Sequence, residues 1–187
     1  MRRGFKADAE RRSIGARETL GLGATARLCP WAFADAQGVM VFGADELDLE
    51  AEHAVQLLER DPDSWSGMTL HDQGTHVVVL NSSHARTRQT ATLMHEMAHI
   101  TLGHTPAEVT ISPSGLVLLS DYSAEQEDEA DWLGAALLLP EAALLHERSR
   151  GTSPEVIART YGVSEVLCRW RCRMTGVEKR LALRARA

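Results

Sequence analysis

The chain has 187 residues, of which 44% are hydrophobic and 25% are charged, so it is long enough for one domain with a substantial core and too short for two independent ones. The longest apolar run, at 133–140, is under half the length of a membrane span. The basic N-terminus has no apolar segment behind it, so no secretion signal is predicted and we expect a cytoplasmic protein.

The distribution of charge and the spacing of the cysteines predict features of the surface and of the thiols. Residues 147–187 carry ten lysines and arginines against four acidic residues, although the whole chain has a net charge of -6. An acidic body with a basic tail indicates two surfaces with different partners. Cys168 and Cys172 are four residues apart, which is not the spacing of a zinc knuckle or a redox pair, so we expect reduced and partly buried thiols.

The first part of the chain alternates helical and strand patterns. Helix-forming segments that end at stop signals predict helices over residues 7–20, 31–36 and 46–60. A buried strand is predicted at 39–42. Two β-like runs, 65–70 and 75–80, flank a polar turn that ends in Gly74, which is typical of a hairpin.

The two most regular helices come next, at 86–102 and 123–139. Ser123 is a candidate N-cap of the second one, with acidic residues in its first turns, and Pro140 ends it. The stretch between these helices, with Pro106, Pro113 and Gly115, is predicted to be irregular. Two shorter helices are expected at 153–161 and 164–174, on either side of Gly162.

The helix at 86–102 contains an H-E-x-x-H motif. His95 and His99 are four residues apart and therefore lie on one face, where two imidazoles can bind one metal ion. A metal ion lowers the pKa of a bound water molecule, and a neighbouring carboxylate can take the proton. The motif predicts hydrolysis by a zinc-bound water with Glu96 as general base. The alternative is a helix that carries two surface histidines.

A catalytic zinc ion requires a third protein ligand from another element. The helix at 123–139 offers five carboxylates: Glu125, Glu127, Asp128, Glu129 and Asp131. Glu127 and Asp131 lie four residues apart on one face, so we predict Glu127 as the ligand and Asp131 as the acceptor for the free N–H of a ligand histidine. Glu129 lies on another side and is a weaker candidate. A solvated acidic helix start is the alternative for most of these residues.

Longer motifs surround these positions. The sequence reads H-E-M-A-H-I-T-L-G-H at 95–104 and E-D-E-A-D-W-L-G-A-A-L-L-L-P at 127–140. It resembles the ImmA/IrrE family of zinc metallopeptidases, whose pattern is an H-E-x-x-H helix, then E-x-E-A-N/D and a leucine-rich helix that ends in proline. The strand that leads into Ser82-Ser83-His84 is also similar, and the resemblance covers about residues 5–175. One departure is Leu133-Gly134, where members often carry Phe-Ala; it affects packing and no proposed ligand.

The resemblance implies a gluzincin-like site with His95, His99 and Glu127 as Zn²⁺ ligands and Glu96 as general base. The implied fold is a compact α+β zincin-like domain, with helices packed on a small β-sheet. Members often cleave a helix-turn-helix transcriptional repressor. Many members carry an N-terminal helix-turn-helix domain that this sequence lacks, so the expected partner is a separately encoded repressor. No membrane partner is expected, because no apolar run is long enough to span one.

Several other residues are candidates for substrate binding. Asn81, at the end of the strand at 76–81, is predicted to border the cleft, and that strand could hold an extended peptide if it were a sheet edge. His84, His71 or Tyr122 could stabilise an oxyanion, and their spacing favours none of them. His104 lies past Gly103 and is poorly placed as a metal ligand, so we expect it to have a structural or surface role.

We divide the chain into a metallopeptidase domain at 1–146 and a basic C-terminal helical extension at 147–187. The extension resembles a helix-turn-helix, but we expect it to pack on the domain or to dock a partner rather than to bind DNA directly. Three alternatives to a peptidase stay open: a non-proteolytic zinc-binding regulator that binds a repressor, a DNA-binding regulator that uses the C-terminal helices, and a zinc hydrolase of small molecules.

Overall fold

A computed structural model describes residues 1–72, 74–105, 108–111, 117–120 and 122–184, with the backbone alone for Asp72, Arg184 and the two four-residue ranges. The expected turn residue Gln73, the prolines at 106 and 113 and the last three residues of the basic C-terminal extension lie outside these ranges. None of the helices found within them is long and apolar enough to cross a membrane.

The protein is an α+β domain, as the sequence predicted. The helices described are α1 (Phe5–Thr19), α2 (Pro30–Ala36), α3 (Ala51–Val55), α4 (Arg86–Leu102), α5 (Ala124–Leu138), α6 (Glu141–Ser149), α7 (Pro154–Tyr161), α8 (Glu165–Thr175) and α9 (Val177–Arg184). The strands are β1 (Met40–Gly43), β2 (Gly67–Asp72), β3 (Thr75–Leu80), β4 (Glu108–Ile111) and β5 (Val117–Ser120). They form one mixed sheet in the order β1-β3-β2-β5-β4.

Two local predictions were wrong. The predicted helix at 46–60 is replaced by a 3-10 turn, the short α3 and a π-helical turn at Gln56–Arg60. The Glu46 carboxylate accepts a hydrogen bond from the Gly43 backbone N–H at 2.6 Å and caps the 3-10 turn, but the chain is extended at Leu47 and becomes helical again only at Ala51. The stretch predicted to be irregular contains β4 and β5, whose four-residue runs are too short to give a clear period.

The hairpin of β2 and β3 is confirmed, but β3 is not a sheet edge. It pairs in parallel with β1 on one side and antiparallel with β2 on the other. Its backbone groups are therefore used within the sheet, and the predicted pairing of β3 with a peptide does not apply. The described edges of the sheet are β1 and β4.

Helices α4 and α5 form the centre of the core. Leu93, Met94 and Met97 of α4 are fully buried, as are Leu133 and Leu137 of α5. The two helices approach closely at Gly134, where a Cβ atom would lie 2.9 Å from the Met94 carbonyl oxygen. The sheet covers one side of α4, so that the polar face of this helix is held between β2 and the start of α5.

The C-terminal helices share this core. Ile157, Tyr161 and Cys168 are buried in it, and the Tyr161 hydroxyl donates to the Thr25 carbonyl at 2.7 Å. Cys172 is also buried, and both thiols of α8 are free. The proposed boundary between 146 and 147 falls within α6 and stays a prediction.

Candidate metal centre

Helix α4 presents His95 and His99 from one face. Its C-terminus is closed by Gly103, which adopts the left-handed conformation (φ 64°) that side chains with a Cβ rarely take. The Nε2 atoms of the two histidines lie 3.1 Å apart. His99 is buried, with 1% of its surface exposed, and His95 is partly buried.

Helix α5 brings Glu127 to the same point. The helix begins at the predicted N-cap, where the Ser123 hydroxyl accepts a hydrogen bond from the Gln126 backbone N–H and the Ser123 backbone N–H donates one to the Gln126 side-chain oxygen. Glu127 lies in the first turn. Its Oε2 is 3.2 Å from His95 Nε2, and its Oε1 is 3.7 Å from His99 Nε2.

These three donor atoms have the spacing of a metal site. All lie within 4.8 Å of one another. Ligand atoms about 2.0–2.1 Å from a tetrahedral zinc ion are about 3.3 Å apart. The two histidine Nε2 atoms, 3.1 Å apart, and the pair of His95 Nε2 and Glu127 Oε2, 3.2 Å apart, are close to this value, and the second carboxylate oxygen, Oε1, lies 3.7 Å from His99 Nε2. Two imidazole nitrogens and one carboxylate are also a donor set that zinc accepts. The residues therefore fit a divalent metal ion.

Asp131 holds the other ring nitrogen of His95. Its Oδ1 lies 2.9 Å from His95 Nδ1, which directs Nε2 of that ring towards Glu127. Burial lowers the pKa of His95, but the Asp131 hydrogen bond and the carboxylates of Glu96 and Glu127 outweigh burial, and the pKa is raised overall. The same hydrogen bond lowers the pKa of Asp131.

His99 has a different environment. Burial, together with the neighbouring rings of His95 and His104, lowers the pKa of His99 to about 3. The ring is therefore neutral at physiological pH and keeps a lone pair that can bind a metal ion. Tyr122 stacks on it with the ring centroids 3.7 Å apart, and burial raises the pKa of this phenol to about 12.

Glu96 is held by a residue that the sequence did not single out. The Thr69 hydroxyl of β2 donates to Glu96 Oε2 at 2.5 Å. Burial raises the pKa of Glu96, and the Thr69 hydrogen bond opposes this shift by stabilising the carboxylate. A raised pKa brings a carboxylate closer to the range in which it can exchange a proton near neutral pH.

A cleft of about 370 Å³ opens beside these groups. It is lined by Ser66, Gly67, Ala91, Thr92, His95, Glu96 and Asp131. The imidazole of His95 and the carboxylate of Glu96 thus face a space that a substrate segment can enter. The cleft lies between the start of β2 and the solvent-facing side of α4.

The structure adds His104 and Glu129 to the neighbourhood of the site. His104 Nδ1 lies 3.0 Å from His99 Nδ1, and His104 Nε2 lies 3.6 Å from Glu129 Oε2. Glu129 is 6% exposed, so it does not belong to a solvated acidic helix start. The contact of His104 with His99 could have been predicted from the Gly103-His104 pair, because a glycine that ends a helix turns the next residue back onto the last turn.

The remaining predicted candidates have other contacts. Asn81 is fully buried, with its amide nitrogen donating to the Pro62 and Trp65 carbonyls and its oxygen accepting from Ser83. His84 is also buried and its Nε2 lies 2.9 Å from the Pro62 carbonyl. His71 packs edge-on against His76 in the hairpin. Of the three oxyanion candidates, Tyr122 is the one in contact with a predicted ligand.

Two arginines of α8, Arg169 and Arg171, have polar partners within the protein. Arg171 is fully buried; its Nε donates to the Leu139 carbonyl at 3.0 Å and its Nη2 contacts Glu10 at 2.5 Å. Arg169 forms ion pairs with Glu155 and Glu165. Two of the three arginines of α8 therefore have acidic partners within the protein, while Arg173 is exposed.

Comparison with known proteins agrees with the geometry. No curated protein sequence matches the chain. The peptidase family described as the IrrE N-terminal-like domain (Peptidase_M78) matches residues 50–173, more than half of the chain, and spans α4, α5 and the donor cluster. The chain belongs to this family and is a metallopeptidase of the IrrE/ImmA type.

Proposed function

We propose that this protein is a zinc-dependent peptidase that hydrolyses a peptide bond of another protein. The observation that carries the proposal is the convergence of His95, His99 and Glu127 on one point, with Glu96 beside them at the cleft. The metallopeptidase family supports peptide hydrolysis, and the nitrogen and oxygen donors support zinc.

Each residue has one role in this proposal. His95, His99 and Glu127 bind the metal, and Asp131 orients His95. A bound zinc ion supplies Lewis-acid polarisation of the scissile carbonyl and acidification of a water molecule. Glu96 takes the proton of the attacking water and passes it to the departing amine nitrogen, while Thr69 holds its carboxylate in place.

We further propose that the substrate is a separately encoded helix-turn-helix repressor and that the protein acts in the cytoplasm. The family resemblance supports the substrate class. Unbridged Cys168 and Cys172 agree with a reducing compartment. The packing of α7 and α8 on the core and the ion pairs of Arg169 and Arg171 favour protein contact over DNA binding by this extension.

Metal content and hydrolysis test the proposal together. We expect about one zinc ion per chain in the wild type and a loss of zinc in Glu127→Ala and His99→Ala. Glu96→Gln should retain zinc and lose hydrolysis of a candidate repressor, because an amide cannot accept the proton. Glu125→Ala, a change to an exposed carboxylate of the same helix, is the matched control and should behave like the wild type.

The outcomes separate the alternatives. Full cleavage by Glu96→Gln would contradict the role of Glu96. Zinc binding and repressor binding without cleavage by the wild type would favour a non-proteolytic regulator. A wild-type protein that does not bind zinc after zinc has been supplied would exclude the proposed site.

A further inference from the structure

Beyond the proposed ligands, one histidine just after α4 has a fixed place next to the site and does not line the cleft. His104 is the second residue after the helix end and is almost fully buried, with 8% of its side chain exposed. A buried, hydrogen-bonded imidazole in contact with another imidazole needs a defined arrangement of protons. That arrangement can be worked out from the contacts.

The position of His104 follows from the helix end. Gly103 N–H donates to the Ile100 carbonyl at 3.1 Å, and His104 N–H donates to the His99 carbonyl at 3.0 Å. These are the two hydrogen bonds of a Schellman motif, in which the residue after the left-handed glycine packs against the residue five positions earlier. The contact is commonly apolar; here it joins His104 to His99.

The hydrogen bond between the two rings fixes both tautomers. If His99 uses the Nε2 lone pair for a metal ion, its proton must be on Nδ1, and that N–H donates to His104 Nδ1 at 3.0 Å. His104 must then carry its own proton on Nε2. This N–H points towards Glu129, whose Oε2 is 3.6 Å away.

Glu129 is itself held in place. Its side chain is 7% exposed, and its Oε1 accepts a hydrogen bond from the Arg2 backbone N–H at 3.0 Å and lies 3.5 Å from Arg2 Nε. His95 has a simpler arrangement, because the largely exposed Asp131 binds its Nδ1 directly. His99 thus depends on a buried chain that runs through His104 to Glu129.

We propose that His104 is a positioning residue of the metal site, which holds His99 in the tautomer that presents Nε2 to the metal ion, and that Glu129 holds His104 in turn. This inference rests on the proposed ligand set. Outer partners of ligand histidines fix ring orientation and raise ligand basicity, and their loss commonly costs about 10- to 100-fold in metal affinity.

The test measures zinc affinity of the metal-free full chain by competition with a chelator. We expect His104→Leu to weaken zinc binding about 10- to 100-fold, because leucine cannot accept the His99 proton. His104→Gln should restore most of the affinity, since its carbonyl oxygen is an acceptor and its amide can donate to Glu129. Glu129→Gln should cause a smaller loss. His146→Leu, a change to an exposed histidine of α6, is the matched control.

Two further readouts distinguish positioning from a structural role. The visible spectrum of the Co²⁺-substituted protein should change in His104→Leu, because it reports on the ligand geometry, and should be close to wild type in His104→Gln. Thermal unfolding of the metal-free proteins reports on packing alone. If His104→Leu lowers the melting temperature but leaves zinc affinity and the Co²⁺ spectrum unchanged, the inference is overturned.

The failure of this inference can be told apart from a failure of the proposed site. Wild-type affinity in His104→Leu, together with a loss of zinc in His99→Ala and Glu127→Ala, would reject the role of His104 and leave the ligand set intact. Absence of zinc binding in the wild type would reject both. If His104→Leu does not fold, the test passes to Glu129→Gln, for which zinc affinity and a Co²⁺ spectrum equal to those of the wild type would reject the inference.

Discussion

Gly134 of α5 lies directly against the backbone of Met94 in α4: a Cβ atom at this position would be 2.9 Å from the Met94 carbonyl oxygen and 3.2 Å from the His95 backbone nitrogen. The contact joins the two helices that carry the predicted metal ligands. Because backbone atoms cannot rotate away, the spacing of these helices depends on the absence of a side chain at residue 134.

Gly134→Ala should therefore push α4 and α5 apart by a few tenths of an ångström. We expect the free energy of unfolding to fall by about 1 to 2 kcal/mol, because overpacking outweighs the better helix propensity of alanine. Zinc affinity should fall as well, since Glu127 moves relative to His95. Gly15→Ala in α1, where no atom lies within 4 Å of the added Cβ, is the control and should stabilise the protein by about 1 kcal/mol. A stabilised Gly134→Ala variant would contradict this account of the interface.

Thr69→Val should alter the pH dependence of hydrolysis. The Thr69 hydroxyl stabilises the Glu96 carboxylate, so its removal raises the pKa of Glu96 further. Since the deprotonated form acts as the base, the acidic limb of the kcat profile should move to higher pH and kcat at neutral pH should fall. Thr69→Ser keeps the hydroxyl and should retain the wild-type profile. An unchanged acidic limb in Thr69→Val would remove Thr69 from the proposed mechanism.

Metal removal should lower thermal stability. His95 and Glu127 come from different helices, so a bound ion crosslinks α4 to α5 and stabilises only the folded chain. At free zinc 100-fold above the dissociation constant, the gain is about 2.7 kcal/mol, or roughly 5–10 °C in melting temperature for a protein of this size. The difference between zinc-loaded and chelator-treated protein, followed by circular dichroism, should vanish in Glu127→Ala and persist in Glu125→Ala.

Arg17 of α1 should be a large contributor to stability. Its guanidinium donates to the Ala26 and Leu137 carbonyls at 2.9 and 2.8 Å and also to Ser13, all in a fully buried position. Arg17→Met leaves several of these acceptors unsatisfied and should cost about 3–5 kcal/mol in denaturant unfolding. Arg11→Met on the same helix breaks only an exposed pair with Asp8 and should cost less than about 1 kcal/mol. Similar losses of unfolding free energy in both variants would show that the buried hydrogen bonds of Arg17 are not the cause of its contribution to stability.

Some features that depend on interactions between residues close in sequence were predicted correctly. Helix α4 was predicted with its observed bounds, and the N-cap at Ser123 was found, because capping and helical periodicity depend on residues within one or two turns. The spacing of His95 and His99 on one face has the same origin. Glu127 was selected by its spacing from Asp131 and by the longer motif, and it lies where both histidines point.

The features that sequence reasoning missed arise from contacts between distant segments. Thr69 and Glu96 meet because β2 passes α4, and no local pattern marks a threonine for that role. His104 was given a structural or surface role because it lies beyond the helix, although Gly103 already signalled a return onto His99. Glu129 was given only as a weaker ligand candidate on another side of the helix, because helical periodicity says nothing about the N-terminal residues that cover it.

By itself, the sequence determined the helix with its two histidines and the acidic helix start, because each depends on side-chain type and short-range spacing. The metallopeptidase class came from the resemblance of the longer motifs to a known family. Only the tertiary structure decided that β3 is an interior strand and which groups hold Glu96 and His99. These features depend on the packing of α4 between the sheet and α5. The close approach at Gly134 sets that packing, and this contact can be identified only when the positions of both helices are known.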